Sequence, residues 1–214
     1  MICKQEVTWE NTGKKGGLKV SKKKVTSIGL IVEDNSDFDS FKTIIRRILN
    51  KDNLSFKKAI GNGCGKLKRK ASSYASTLSQ RGCEMVILVH DLDRNNLASL
   101  ETELKKLMED SPAPYNFVCI PIEEIEGWFL SDTLTIKEAF NLLNEPRLSG
   151  NPELIKSPKE KLAEIIYLGS NKSKRYLNTK HNLILSEKVR IEEMKSKCPS
   201  FRLFCDFLLQ YEYK

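Results

Sequence analysis

The sequence has few of the residues that build soft-metal sites. Its 214 residues include only two histidines, His90 and His181, and its six cysteines contain no Cys-x-x-Cys pair. A zinc motif needs about four such ligands at short spacings, so none is expected here. Cys83 and Cys119 lie beside or inside apolar runs, where reduced cysteine is typical of the core. We therefore expect the cysteines to be structural.

Long apolar runs are also missing. No stretch approaches the roughly 20 apolar residues that a membrane-spanning helix requires. The sequence starts without the basic-then-apolar layout of a signal peptide. We therefore expect a cytoplasmic protein with no membrane partner. Hydrophobic residues make up 40% and charged residues 30% of the chain, a composition typical of a globular domain with a buried core.

Charge is distributed unevenly along the chain, whose net charge is +8. Residues 1–25 carry seven lysines and two glutamates, a net charge of +5. Residues 26–145 carry 15 basic and 18 acidic residues (net −3), and residues 146–214 carry 14 basic and 8 acidic residues (net +6). An acidic centre between basic flanks repels a polyanion unless it holds metal cations, so the pattern favours a metal-loaded site that handles nucleic acid.

Apolar runs alternate with amphipathic stretches through the first two thirds of the chain. This alternation predicts an α/β fold with an open, mostly parallel sheet of about four strands and flanking helices. The predicted strands are 27–32, 56–60, 84–89 and 116–120, and the predicted helices are 36–49, 66–80, 97–109 and 126–130. Ser36 or Asn35 is the expected N-cap of the first helix.

The same pattern divides the chain into three parts. Residues 1–25 contain several glycines and lysines and little apolar periodicity, which indicates a flexible basic arm with a short strand near Val20. Residues 26–145 form the α/β core. Residues 146–214 form a helical appendage packed on the core, with helices near 158–168, 183–197 and 200–211.

Carboxylates follow three of the four predicted strands. They are Glu33 and Asp37 after the first strand, Asp91 and Asp93 after the third, and Glu123, Glu124 and Glu126 after the fourth. Because ligands bind outside the carboxyl ends of the strands in open parallel sheets, these acids should share one rim. Crowded carboxylates repel one another unless a cation lies among them, and hard oxygen ligands suit Mg²⁺ or Mn²⁺. The sequence therefore predicts a metal site at this rim.

These motifs resemble those of the Toprim superfamily, in particular small stand-alone bacterial Toprim-like proteins related to OLD-type nucleases. The string Ile31-Val32-Glu33, followed by Asp37, is similar to the first motif, and Asp91-Leu92-Asp93 resembles the metal-binding DxD motif. Further similarity lies in 122–132, in Pro158-Lys159, around Tyr176 and Thr179-Lys180-His181, and in Cys198-Pro199-Ser200-Phe201. The usual glycine after the first-motif glutamate is Asp34 here.

The resemblance implies a Mg²⁺- or Mn²⁺-dependent endonuclease, an effector of a bacterial phage-defence system that works beside a partner ATPase or sensor protein. By this analogy Glu33 is a general base or metal ligand, and Asp37 is a further ligand. Asp91 and Asp93 hold the metal, while Glu123 or Glu126 completes a second site. Lys180 neutralises charge on the phosphate in the transition state.

Basic residues follow the glycine-rich stretch 61–65. The spacing is one residue short of a P-loop and Leu67 replaces the Mg²⁺-binding hydroxyl, which excludes nucleotide binding of that kind. The residues that can instead contact a nucleic-acid backbone are Lys66, Lys68, Arg69 and Lys70.

Two other interpretations stay open. A receiver-like phosphoacceptor domain also begins with an apolar strand that ends in paired acids, but it needs a hydroxyl after strand four and a lysine after strand five. A non-catalytic Toprim-like protein would bind nucleic acid or a partner through its basic flanks and would have no use for the acids.

Overall fold

The computed structural model describes residues 24–214 and contains a four-stranded parallel sheet with the strand order β2-β1-β3-β4. The strands are β1 (Ser27–Val32), β2 (Ser55–Ile60), β3 (Met85–Val89) and β4 (Tyr115–Cys119). The predicted α/β class with an open parallel sheet is confirmed. Every predicted strand is found within one residue of its expected limits.

Nine helices of the described region connect and cover the strands. They are α1 (Asn35–Leu49), α2 (Cys64–Gln80), α3 (Leu97–Met108), α4 (Glu126–Phe129), α5 (Thr133–Phe140), α6 (Pro158–Gly169), α7 (Asn178–Lys188), α8 (Ile191–Lys197) and α9 (Pro199–Leu208). A short 3-10 turn covers Pro152–Leu154. Helix α5 was not predicted, and the single helix expected over 183–197 is wrong, because the chain breaks at Val189 and Arg190 between α7 and α8.

The central strands are buried on both faces, which explains their continuous apolar sequences. Alternate side chains of β1 enter two separate cores: Ile28 and Leu30 join one, and Ile31 joins the other. Helices α2 and α3 cover the smaller core, while α1 and the C-terminal helices cover the larger one. Because the C-terminal helices pack on the sheet itself, they can hold residues close to the strand ends.

The larger core is built around Trp128 on α4. Its ring lies against Phe41 of α1 and against Phe201 and Phe204 of α9, with centroid distances of 4.9–6.1 Å. The indole N–H donates to Ser200 at 2.8 Å. This aromatic cluster fixes α4, and with it Glu126, relative to α1.

The start of the described chain is part of the fold rather than of an arm. Val25 is fully buried, its N–H donates to Glu212, and its carbonyl accepts from the N–H of Lys214. Val25 therefore belongs to the folded part of the chain, and residues 1–23 of the predicted arm, with the strand near Val20, lie outside the described residues. In the part that the structure describes, no helix is both long and apolar enough to cross a membrane.

Candidate functional site

The carboxyl ends of β1 and β3 form a small crevice. Glu33, Asp37 and Asp91 line it together with Cys64 at the start of α2 and His90 at the end of β3. Its volume of about 10 Å³ is close to that of one water-sized sphere. Three of the predicted site residues thus share one confined space.

Helix α1 begins with a reciprocal pair of acids. Asp34 is its N-cap and accepts from the N–H of Asp37 at 3.0 Å, and the Asp37 carboxylate accepts from the N–H of Asp34 at 3.3 Å. The expectation that Ser36 or Asn35 caps the helix is therefore wrong. This capping box points Asp37 into the crevice beside Glu33 and occupies the Asp34 side chain.

The DxD segment is extended only as far as Leu92. The N–H groups of His90 and Leu92 continue the ladder to the β4 side, and Asp93 then turns with a positive φ of 47°. Asp93 therefore does not continue the extended backbone that holds Asp91.

Glu123, after β4, shares this left-handed conformation with a φ of 60° and contacts the DxD turn directly. Its carbonyl accepts from the N–H of Asp93 at 3.3 Å, and its carboxylate accepts from the N–H of Arg94 at 3.0 Å. A positive φ is uncommon for glutamate and such strain clusters at functional sites. The two strand ends are thus fixed to each other by their backbones.

Cys64 joins acids from two strand ends. Its thiol donates to Glu33 at 2.9 Å and lies 3.4 Å from Asp93. Burial and these two carboxylates raise the pKa of Cys64, so it stays a neutral thiol. The turn before it is tight: a β carbon on Gly61 would meet that of Leu67 at 2.5 Å.

Glu126 is held in the protein interior beside the crevice. It is only 3% exposed; the Tyr176 hydroxyl donates to it at 2.9 Å and the Asn182 amide donates at 3.3 Å. Both partners are neutral, so the hydrogen bonds do not compensate its negative charge. Glu126 therefore adds to the negative potential at Asp37 and Asp91.

The electrostatics of the crevice are those of crowded acids. Burial, followed by repulsion from Asp34, raises the pKa of Asp37 to about 7. Burial raises the pKa of Asp91 well above its usual range, and Asp37, Glu126 and Asp93 raise it further. After burial, the largest influences on Asp91 are all carboxylates. The arrangement thus costs folding free energy unless a positive charge enters it.

This donor set suits a hard divalent cation. The groups around the crevice are carboxylates with one neutral thiol and one imidazole, and oxygen ligands are those that Mg²⁺ and Mn²⁺ prefer. The Nε2 atom of His90 is buried and has no hydrogen-bond partner within residues 24–214. Among those residues, no three Asp, Glu, His or Cys side chains are already arranged as metal ligands. The residues fit the ion by chemistry and charge, and a cation would have to draw them together.

Lys180 is exposed in the first turn of α7 and is not among the residues that line the crevice. Helix α7 packs on α1, and the Ser36 hydroxyl donates to the carbonyl of Asn178 at 3.3 Å, which places the start of α7 beside the start of α1. The neighbouring His181 accepts from the N–H of Leu177, so its imidazole fixes the helix start.

The basic residues predicted to bind nucleic acid begin at the crevice. Helix α2 starts at Cys64, so Lys66 lies in its first turn, and Arg69 and Lys70 are exposed one turn further. Lys68 differs from them because its ammonium bonds to Glu103 at 3.0 Å. Three of the four predicted cations are thus outside any ion pair of the described region.

Comparison with known proteins gives one match. A family model described as a domain of unknown function, DUF4276, matches residues 32–209. The chain belongs to this family. No curated protein and no solved structure gives a significant match.

The DUF4276 match begins one residue before Glu33 and ends just after α9. It includes every carboxylate of the crevice and the helices that hold Glu126. The DUF4276 unit thus spans both the sheet and the C-terminal helices, as the shared larger core requires.

One residue that lines the crevice was missed by the sequence interpretation. Cys64 was assigned to the structural cysteines, although its place in the turn after β2 puts it on the same rim. Glu124, which accepts from the N–H of Lys159 at the start of α6, has no role in the sequence interpretation beyond its place after the fourth strand. Burial and Glu126 raise its pKa.

Proposed function

We propose that this protein is a Mg²⁺- or Mn²⁺-dependent nuclease of the Toprim type that cleaves phosphodiester bonds in nucleic acid. Its partners would be nucleic acid and an ATPase or sensor protein, in a bacterial phage-defence system. The sequence motifs around Glu33 and Asp91 suggest the family, and the carboxylate crevice supports the chemistry.

One observation carries the proposal: acids from separate strand ends raise one another's pKa in a confined space. Asp91 is acted on by Asp37 from α1, by Asp93 from its own turn and by Glu126 from α4. A protein with no use for a cation there would gain stability by replacing one of them with a neutral residue. The repulsion is explained if a divalent cation is the native occupant.

Individual residues of the chain would have separate roles in hydrolysis. Asp91 and Asp93 would hold the ion with Asp37, and Glu123 or Glu126 would serve a second ion. Bound metal would supply Lewis acidity toward the phosphate and lower the pKa of a water molecule. Glu33 accepts a proton from the attacking water once it releases the Cys64 thiol. Lys180, exposed at the start of α7, would neutralise the charge that develops on the phosphate.

Positive charge continues from the crevice along α2, through Lys66, Arg69 and Lys70. The pocket lined by Arg94 and Lys156 is acidic overall, because it also contains Asp93, Glu123, Glu124 and Glu160. A nucleic-acid strand that lies across the rim would meet the α2 cations beside the acids. This arrangement supports binding of a polyanion over a metal-loaded acidic centre.

The proposal is tested by incubating purified protein with supercoiled plasmid, single-stranded DNA and RNA. We expect cleavage with Mg²⁺ or Mn²⁺ and none with EDTA. The double variant Asp91→Asn and Asp93→Asn should lose at least about a hundredfold in rate, because both metal-holding carboxylates are gone.

Asp39→Asn is the matched control, since Asp39 is an exposed acid on α1 outside the crevice. Its cleavage rate should equal that of the wild type. Equal rates in the double variant would contradict the proposal, and metal binding without any cleavage would favour the non-catalytic alternative. The receiver-like alternative loses support, since the sheet of residues 24–214 has no fifth strand to carry its lysine.

A further inference from the structure

A large groove lies away from the carboxylate crevice, along the outer side of β4. Its volume is about 710 Å³, and it runs between α3 and α9. The residues from Asn116 to Ile120 all line it, so it follows the whole strand. Apolar side chains form its walls, including Leu203, which is 67% exposed on α9.

The floor of this groove is an edge of the sheet, and its outward backbone groups have no partner among residues 24–214. Tyr115 donates its N–H to Glu84 and Cys119 accepts from the N–H of His90, so the odd-numbered residues pair inward with β3. In a parallel ladder the residues between them direct N–H and C=O the other way. Asn116, Val118 and Ile120 therefore present donors and acceptors toward the groove.

The two edge strands of the sheet differ in their charged residues. The other edge strand, β2, carries Lys57 and Lys58 in its centre, which is a common protection against unwanted strand pairing. Strand β4 has no charged residue and no proline between Tyr115 and Cys119. Its length of five residues corresponds to roughly 16 Å of extended chain. This edge is left open over the length of a short peptide.

Charge at the groove is opposite to that of the whole chain. Four acids line it against one base, and the base, Lys105, is bound by Glu101 at 2.6 Å. The others are Glu109, which is exposed, Asp206, which is exposed and lies 3.7 Å from the Lys195 ammonium, and Glu153, which is buried and bonded to Ser200. A polyanion is disfavoured here, and a second copy would oppose acids to acids. The complementary occupant is apolar and cationic.

We propose that the groove binds an extended segment of a partner protein, in which apolar side chains alternate with lysine or arginine, and that this segment adds to the sheet beside β4. The backbone of Asn116, Val118 and Ile120 supplies the main-chain hydrogen bonds. Leu203 and the apolar walls receive one face of the added strand, and Glu109 and Asp206 meet its basic residues. This inference is independent of the proposed nuclease activity.

The test uses the full-length protein and a fluorescent peptide of about seven alternating lysine and valine residues with blocked ends. We expect saturable binding by fluorescence anisotropy. A peptide with glutamate for lysine, and one N-methylated along one edge, should each bind at least about tenfold more weakly. The first change removes charge complementarity and the second removes the donors that pair with β4.

Matched variants of the protein locate the binding. Leu203→Gln should weaken binding about tenfold, whereas Leu143→Gln, at a leucine of similar exposure (64%) outside the groove, should leave it unchanged. Val118→Pro, which removes one outward N–H and no ladder bond, should also weaken binding. Equal affinity of the two leucine variants would overturn the proposal.

Amide hydrogen exchange on the full-length protein distinguishes a partner segment from other occupants of the groove. We expect fast exchange at Val118 and Ile120 that slows when the lysine–valine peptide is added. Protection without peptide would overturn the proposal: if independent of protein concentration it would indicate residues 1–23 as the occupant, and if concentration-dependent a second copy. Unchanged fast exchange with saturating peptide would also overturn it.

Discussion

The Asp34 carboxylate caps helix α1. The resemblance expects glycine at this position, and an aspartate there suggests additional charge for a cation. The structure uses its carboxylate to cap α1 through the N–H of Asp37. A capping carboxylate contributes about 1 kcal/mol to helix stability, a role that glycine fills only in part. Asp34 therefore serves the helix, and Asp37 remains the α1 carboxylate that lines the crevice.

The Asp91 carboxylate should destabilise the folded protein when metal is absent. Asp91→Asn removes the group that is most strongly repelled by its neighbours, so we expect the variant in EDTA to melt about 3 °C higher than the wild type in EDTA. With millimolar Mg²⁺ or Mn²⁺ the wild type should gain stability and the variant should not. Differential scanning fluorimetry measures both.

Asp110→Asn is the control for this melt, because Asp110 is exposed beyond the end of α3. Its melting temperature should equal that of the wild type both in EDTA and with added metal. Two outcomes would contradict a preformed acidic crevice. One is a lower melting temperature for Asp91→Asn than for the wild type in EDTA. The other is a wild-type melting temperature that does not change when Mg²⁺ or Mn²⁺ is added.

Asp132 is a buried acid whose charge is fully compensated. Burial acts to raise its pKa, but hydrogen bonds from Arg190 and Thr135 outweigh burial and lower the pKa from 3.8 to about 2. The native state therefore binds fewer protons than the unfolded state between these values. The stabilisation is complete above pH 4 and is lost as the pH falls toward 2.

Asp132→Asn should accordingly lower the free energy of unfolding by about 2 kcal/mol at pH 7 and by much less near pH 2. Urea unfolding at both pH values measures this. Glu193→Gln is the control, since it removes a partly exposed partner of the same Arg190 at 3.7 Å and should cost less than about 1 kcal/mol. A loss for Asp132→Asn that does not depend on pH would contradict the assigned role of its charge.

At the scale of elements, strands were predictable and helix breaks were not. Strands β1 and β3 are buried on both faces, so their sequences are continuous apolar runs bounded by polar residues. The break between α7 and α8 depends on Arg190, whose N–H and side chain both bond to Asp132, 58 residues earlier. No local pattern contains that contact. The short helix α5 was missed although its N-cap, Asp132, is a local signal in the sequence.

Helix α2 should carry nucleic-acid affinity through its unpaired cations. Replacing Lys66, Arg69 and Lys70 by alanine should weaken binding of single-stranded DNA and reduce the slope of log K against log salt by about 2, at about 0.7 for each phosphate that is no longer neutralised. Filter binding at several salt concentrations gives the slope. Lys68→Ala is the internal control, because Lys68 is already paired with Glu103 and should change the slope little. Equal slopes for the triple variant and wild type would remove α2 from the interface.

The site itself was predictable in position but not in detail. The rule that ligands bind at the carboxyl ends of parallel strands brought Glu33, Asp37 and Asp91 together correctly. The turn at Asp93 and the left-handed Glu123 follow from bonds between two strand ends, which the sequence does not reveal. The role of Cys64 could be predicted only if the position of β2 next to β1 in the sheet were known.

For the whole molecule, charge is divided between an acidic centre and basic flanks. Because Val25 is buried and bonded to the C-terminal residues, the basic N-terminal segment can be removed only up to residue 23. Residues 1–23 contain six lysines and two glutamates. We expect their deletion to weaken DNA binding and to lower its salt slope, with turnover at saturating substrate unchanged.

Salt-dependent binding and cleavage assays on the deletion variant measure these quantities. The control replaces both glutamates of the segment by glutamine and should steepen the slope or leave it unchanged. An unchanged slope in the deletion variant would show that the segment neutralises no phosphate.

The environment of Cys64 protects its sulfur from electrophiles. Cys64 is the one cysteine of residues 24–214 that is not buried. Alkylating reagents and oxidants react with the thiolate, however, and the raised pKa of Cys64 keeps its sulfur protonated between Glu33 and Asp93. Solvent exposure alone would therefore overestimate its reactivity, and Cys64 should be labelled slowly while both carboxylates are in place.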